Sequence, residues 1–148
     1  MLLDDNLVMI DSAALVSAIT PTAVGLKSFL HPGKMDAVPV YICADKTTSG
    51  NASAAITINF QQASAQIGNS SGASSSGVWV NAGPSWTLTA SQLASGVPVG
   101  PRYLPREVTQ PWIRLNVSKT GTFSAGALTA AIVREDYQPY EADEKIEA

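Results

Sequence analysis

Apolar and polar residues alternate at every second position in four stretches of the chain. In AAITINFQ, Ile56, Ile58 and Phe60 share one face, while polar residues occupy the other. This period matches a β-strand with one buried face. The same pattern predicts three more strands, with these residues facing inward: Val38, Val40 and Ile42; Ile113, Leu115 and Val117; and Leu128, Ala130 and Ile132.

Turn signals rich in Gly, Ser, Asn and Pro separate the strands, as in HPGK, DKTTSGN, GNSSGASSSG, NAGPS and SKTGTFSAG. Pro39 can donate no ladder hydrogen bond, so its strand should start there or lie at a sheet edge. Shorter strand candidates are Val24–Phe29, Val78–Val80, Trp86–Thr89 and Val97–Val99. Roughly eight short strands without a long amphipathic helix predict an all-β fold, an antiparallel jelly-roll β-sandwich.

The two ends of the chain differ from this pattern. We expect one domain over residues 12–134, an extended N-terminal arm over 1–11 and an acidic C-terminal tail over 135–148. Leu2, Leu3 and Leu7 lie outside the main strand set and need a surface to cover them. The arm is therefore predicted to contact a neighbouring molecule, and packing back onto its own sandwich is the alternative.

Charge is scarce and unevenly placed. Charged residues make up 14% of the chain, and residues 12–134 hold eight Lys/Arg against three Asp/Glu. The tail holds Glu135, Asp136, Glu141, Asp143, Glu144 and Glu147 against Lys145. A sparsely charged, mildly basic body with acidic ends favours docking to a partner, and solvated tails are the alternative.

The sequence also bears on disulfide formation, export and membrane insertion. Cys43 is the only cysteine, so no disulfide can form within the chain. The N-terminal stretch MLLDDNLVMI carries Asp4 and Asp5 where an export signal has basic residues, so we expect no export signal. No apolar run approaches the ~18 residues needed to span a bilayer, so we expect no membrane partner.

Candidate catalytic chemistry is weak. GNSSG, residues 68–72, fits the nucleophile-elbow pattern with Ser70 as nucleophile, but His31 is the only histidine and precedes it. A Gly- and Ser-rich chain matches this pattern by chance. One histidine and one cysteine cannot build a structural zinc site. We therefore expect no enzyme activity, no metal and no cofactor.

The segment PRYLPREVTQPWIRLNV combines arginines with aromatics. Nucleic-acid binding is disfavoured because the pI is about 4.9. Carbohydrate binding is a stronger rival, since tryptophan and tyrosine stack on sugar rings. Trp and Arg side by side on an outward strand face are also typical of protein interfaces. The predicted interface residues are Arg102, Tyr103, Arg106, Trp112 and Arg114, together with Leu2, Leu3 and Leu7.

Several motifs in sequence order resemble the capsid cement (decoration) proteins of tailed bacteriophages. They are the start MLLDDNLVMIDSAA, the turn LASGVP, and then PRYLP, WIRLNV and GTFSAGALTAAIV. The middle of the chain, Asn51 to Trp86, matches only in its alternation of strands with Gly/Ser-rich loops. The acidic C-terminal extension is not part of the pattern.

The resemblance implies a jelly-roll β-sandwich that forms homo-oligomers, dimers or trimers, on the outer surface of a virion. Its partner would be the major capsid protein of an expanded shell, with no direct nucleic-acid contact. The rival functions are a glycan-binding jelly-roll module and a tail or receptor-binding component of a virion.

Overall fold

The computed structural model describes residues 7–26, 38–64 and 79–133. Strands make up 56% of the structure, and no α-helix is present among these residues, so the all-β prediction is confirmed. One 3₁₀ turn covers Ala90–Gln92. No helix in the described part is long and apolar enough to cross a membrane. The strands are β1 Val8–Ala14, β2 Val24–Gly25, β3 Val40–Ala44, β4 Ser49–Gly50, β5 Ala55–Ala63, β6 Val80–Thr89, β7 Trp112–Thr120, β8 Phe123–Ala125 and β9 Ala127–Ile132.

Two antiparallel sheets form the body of a β-sandwich. We call the four-stranded sheet, in the order β2-β7-β5-β6, the front sheet, and the three-stranded sheet, in the order β1-β9-β3, the back sheet. The short strands β4 and β8 pair separately. Pro39 precedes β3, and β3 lies at the edge of the back sheet, as its missing N–H predicts.

The core lies between the two sheets and is made by the predicted inward rows. Ile56, Ile58 and Phe60 are fully buried on β5, and Ile113 and Leu115 are fully buried on β7. They belong to the same hydrophobic cluster as the back-sheet residues Ile42, Leu128 and Ala130. Burial of these side chains provides the main driving force for folding.

Strand β9 is buried on both faces, although its sequence alternates. All six of its residues are buried, and β9 is the central strand of the back sheet, between β1 and β3. Thr129 is accommodated by hydrogen bonds: its hydroxyl accepts from the Ser12 N–H at 3.0 Å and donates to the Asp45 carboxylate. A buried hydroxyl with both roles filled avoids the desolvation cost of an unpaired group.

The predicted turn NAGPS is wrong, since residues 81–85 lie inside β6. Gly83 takes a φ of +85°, and the register shifts here: Asn59 pairs with Ser85, while Gln61 pairs with Asn81. The extra residues form a bulge, and Pro84 is tolerated because β6 is an edge strand. Turn-forming residues therefore mark an irregular strand edge in this protein.

The predicted strand Val97–Val99 is also absent. This segment runs along β3 through single contacts: an isolated bridge joins Cys43 to Pro98, and the Val99 N–H donates to the Ile42 carbonyl at 2.8 Å. Its prolines and glycines prevent a continuous ladder.

The N-terminal arm needs correction where the structure describes it. Val8–Asp11 belong to β1, which pairs with β9, and Met9 and Ile10 are 0% and 2% exposed. Leu7 packs against the same core. These apolar side chains find their covering surface in their own sandwich, which was the alternative in the sequence analysis. Leu2, Leu3, His31, Ser70 and the acidic tail lie outside the described residues.

Gln62 fixes the loop that leads into β7. It continues the inward side of β5 and is 8% exposed. Its side-chain Nε2 donates to the Glu107 carbonyl at 3.2 Å, and its Oε1 accepts from the N–H groups of Thr109 at 2.8 Å and Gln110 at 3.1 Å. One amide thus satisfies three backbone groups of a segment without a strand partner.

Replacing Gln62 by Leu keeps the side-chain size but leaves these backbone groups unpaired. We expect a loss of about 1–3 kcal/mol in the free energy of unfolding, measured by urea denaturation, because buried donors would lose their acceptor. Gln61→Leu is the matched control: its side chain is on the outer face, where water can replace the lost contacts. Equal losses in the two variants would contradict the role of Gln62.

Candidate functional site

The outer face of the front sheet carries an ordered row of amide side chains. The Asn81 Oδ1 accepts from the Asn59 Nδ2 at 2.8 Å and from the Gln61 Nε2 at 3.1 Å. The Asn59 Oδ1 accepts from the Asn116 Nδ2 at 3.1 Å, and the Gln61 Oε1 accepts from the Arg114 Nε at 2.8 Å. We call the four amides Asn59, Gln61, Asn81 and Asn116, together with Arg114, the amide row. They connect β6, β5 and β7, so most of their side chains are held before any partner arrives.

Arg114 lies over the ring of Trp79. The guanidinium carbon is 4.4 Å from the ring centroid, a distance typical of a cation–π contact. Partial burial lowers the pKa of Arg114 from its usual value, but an arginine in a protein stays charged. Among the described residues, Arg114 makes no ion pair. The result is a fixed guanidinium whose charge has no counter-ion in the part of the chain that the structure describes.

Trp79 carries a second unusual feature. Its indole Nε1 is buried and has no hydrogen-bond partner among the described residues. The ring is only partly covered, and it sits just before β6 at the end of the amide row. An unpaired buried indole N–H costs free energy, which is the kind of cost that is tolerated at functional sites.

Trp112 lies across the edge strand β2. It pairs with Gly25, and its ring atoms Cζ3 and Cη2 are each 3.1 Å from the position that a Cβ of residue 25 would occupy. The absence of a side chain at Gly25 therefore lets the indole lie flat and half-buried on the sheet. On its other side Trp112 pairs with Ala63 of β5, which places it beside Arg114 on the same outer face.

The remaining predicted interface residues lie at the loop end of the sandwich. Tyr103 is 47% exposed and bridges Pro39, and the Arg102 carbonyl accepts from the Val40 N–H at 2.8 Å. Arg106 is exposed in the turn closed by the Val108 N–H to Pro105 carbonyl bond of 3.2 Å. Arg102 and Tyr103 thus lie beside the edge of the back sheet. Trp112 and Arg114 share the outer face of the front sheet, which we call the front face.

Five members of this face were not among the interface residues predicted from the sequence: Trp79, Asn59, Gln61, Asn81 and Asn116. Alternation placed Asn59 and Gln61 outward, which is a signal of exposure. Their joint use of Asn81 depends on the pairing of β5 with β6, and that pairing includes the bulge at Gly83. No local pattern encodes it.

Comparisons with known proteins add no relative: no protein-family model matches the chain, and a search of curated proteins finds no match. Within residues 7–26, 38–64 and 79–133, no group of three or more His, Cys, Asp or Glu side chains is placed to hold a metal ion. The face offers hydrogen-bond donors and acceptors, one fixed cation and two indole rings, which suits it to binding.

Adding a methyl group at Gly25 should displace Trp112. In Gly25→Ala the new Cβ would crowd the indole, so we expect the ring to move towards solvent and the protein to lose about 1–3 kcal/mol of stability from overpacking. The Trp112 indole N–H resonance reports the movement. Gly96→Ala is the control for the resonance alone: no atom lies within 4 Å of its Cβ position, so Trp112 should not move, although the φ of +75° at residue 96 makes this variant lose stability through backbone strain. An unchanged Trp112 resonance in Gly25→Ala would contradict this packing.

Proposed function

We propose that this protein is a capsid cement (decoration) protein with a jelly-roll fold. It binds the outer surface of an expanded bacteriophage capsid and bridges neighbouring major capsid protein subunits. The sequence resemblance of the chain start and of the segments around PRYLP and WIRLNV supports this assignment, and the front face supports a binding role. In this proposal the protein is a structural component of a virion and catalyses no reaction.

The single observation that carries the binding role is the pre-ordered front face. Side chains already held by hydrogen bonds lose little conformational entropy on docking. Trp and Arg are the residues that most often dominate the energy of protein interfaces, and Trp112 and Arg114 lie side by side here. A capsid subunit would meet a largely rigid surface that carries a fixed cation and an indole ring.

Glycan binding is the main rival, and the geometry favours it less. A sugar ring stacks on an open aromatic face: Arg114 already covers one face of Trp79, while Trp112 lies on Gly25 and has only its outer face left for a ligand. Trp86 packs against the hydrophobic core. Tyr103 is the one aromatic among these candidates that is more than a third exposed. A tail or receptor-binding role would use the same face with another protein partner.

The mechanism of stabilisation follows from mass action. A protein that binds the expanded shell but not its precursor stabilises the expanded state by an amount that grows with concentration and affinity. A dimer or trimer adds avidity, because its second contact with the shell becomes intramolecular. The shell would thereby resist the pressure of packaged DNA.

Truncating Trp112 or Arg114 should weaken capsid binding. We expect Arg114→Ala and Trp112→Ala each to lower affinity for expanded capsids at least tenfold, since removing a desolvated interface anchor costs about 2–5 kcal/mol. Cosedimentation with undecorated expanded capsids measures this. The melting temperature of the free protein should change little for Arg114→Ala.

Lys46→Ala is the matched control, because Lys46 is an exposed cation that follows the C-terminal end of β3, away from Arg114 and Trp112. It should bind capsids like the wild type. If the wild type itself does not sediment with expanded capsids, the cement function is wrong. If wild type binds and all three variants bind equally well, the front face is not the docking surface.

A further inference from the structure

Arg114 determines how every side chain of the amide row is oriented. A guanidinium can only donate hydrogen bonds, so the Gln61 atom that meets the Arg114 Nε at 2.8 Å must be the oxygen. The Gln61 Nε2 then donates to the Asn81 Oδ1 at 3.1 Å. The same Asn81 oxygen accepts from the Asn59 Nδ2, and the Asn59 Oδ1 accepts from the Asn116 Nδ2. The order of donors and acceptors along the row is therefore fixed by the arginine.

This order leaves only donors where β6 begins. The Asn81 oxygen is used twice, and its Nδ2 makes no hydrogen bond to a described residue. The two Nη groups of Arg114 are likewise without a partner in the described ranges. The buried Trp79 Nε1 is a third donor that lacks an acceptor there. We call Trp79, Asn81 and Arg114 the donor corner.

The donor corner is compact and its cation is held in one plane. Arg114 and Asn81 contact the same amide group, that of Gln61, from its two sides. The guanidinium carbon lies 4.4 Å from the centroid of the Trp79 ring, which supports one face of the guanidinium. Because Nε is bound to Gln61, the edge formed by Nη1 and Nη2 is the one left for a ligand.

The chemistry of a matching ligand follows from this arrangement. The free edge of a guanidinium matches the two coplanar oxygens of a carboxylate, which accept two parallel hydrogen bonds and carry the opposite charge. A neutral hydroxyl or carbonyl group would fill the donors but would leave the charge of Arg114 without a counter-ion. A metal ion would find no acceptor among the free groups of the donor corner.

We propose that the donor corner binds a carboxylate of a partner protein, the side chain of an Asp or Glu whose neighbouring oxygen atoms accept from Asn81. The identity of that partner as a capsid subunit rests on the proposed function, whereas the selection of a carboxylate does not. Since Gln61 and Trp79 already orient the guanidinium, little conformational entropy is lost when the pair forms.

The first test is a titration of the full chain with an acetylated hexaglutamate peptide. The indole N–H resonance of Trp79 and the Nε–H resonance of Arg114 should shift and saturate. A hexaglutamine peptide of the same length is the control and should shift neither resonance. The indole N–H of Trp86 is the internal reference, because Trp86 packs against the core and should not respond. Equal responses to the two peptides would overturn the proposal.

Asn81→Asp tests the donor corner with the smallest change in shape. It keeps the Oδ1 that accepts from Asn59 and Gln61, but it replaces the free donor by a second, negatively charged acceptor. We expect the affinity for hexaglutamate to fall at least tenfold, because like charges then face each other. Thr120→Asp is the matched control: it adds the same charge six residues from Arg114, about 20 Å along β7. Its affinity should stay close to that of the wild type.

Arg114→Lys separates the geometry from simple charge attraction. Lysine keeps the charge but lacks the planar edge and the second parallel hydrogen bond, so affinity for hexaglutamate should again fall about tenfold. Wild-type affinity in Arg114→Lys or in Asn81→Asp would overturn the site. Inorganic phosphate and glucuronate are the competing probes. Saturation by either one at a lower concentration of anion than the peptide requires would assign the corner to free anions and overturn the protein partner.

Cosedimentation with expanded capsids separates this inference from the proposed function. Asn81→Asp should bind capsids at least tenfold more weakly than the wild type, if a capsid carboxylate occupies the donor corner. Equal capsid binding by the two proteins would show that the capsid uses another part of the surface, and would overturn the capsid subunit as the source of the carboxylate. If the wild type binds no capsids, the proposed function fails, while the peptide titration still decides whether the corner binds carboxylates.

Discussion

The register between β5 and β7 is the constraint on which the rest of the structure depends. Nine consecutive pairs join these strands, from Ala55 with Thr120 to Ala63 with Trp112. Because side chains alternate between faces, a slip of one residue would send the inward row of β5 to solvent. The same slip would turn Arg114 away from Gln61. The core and the candidate site therefore depend on one register.

This coupling explains how the front face keeps its order. Ile56, Ile58 and Phe60 are fully buried below the sheet, so β5 cannot shift without exposing them. The backbone positions of the amides on the outer face are therefore fixed as well. The hydrogen bonds between these amides hold their side chains in one orientation and contribute little to the free energy of unfolding. A binding surface built in this way needs no separate scaffold.

The electrostatics of the face follow from the same geometry. Packing over Trp79 partly buries Arg114 and lowers its pKa, while the described residues bring no carboxylate to it. A partly desolvated charge without a counter-ion is costly, and an incoming carboxylate would relieve that cost. In the proposed function, a carboxylate of the capsid subunit would use this property.

The sequence by itself determined the strand rows and their faces. Alternation placed Ile56, Leu115 and Ile42 in the core and Trp112 and Arg114 on an outer face, because a period of two is a local property of an extended chain. Resemblance in motif order supplied the proposed function. Neither the alternation nor the resemblance could predict which strands lie next to each other in a sheet.

Only the tertiary structure decided what depends on contacts distant in sequence. It made Val8–Asp11 part of β1, because β9 offers that segment a pairing edge and the core takes up Met9 and Ile10. It turned NAGPS into a bulged strand, since β5 pairs on both sides of Gly83. It also brought Trp79 under Arg114 and Gly25 under Trp112. The physical reason is that alternation specifies which face a side chain occupies, whereas sheet order and register specify which side chains meet.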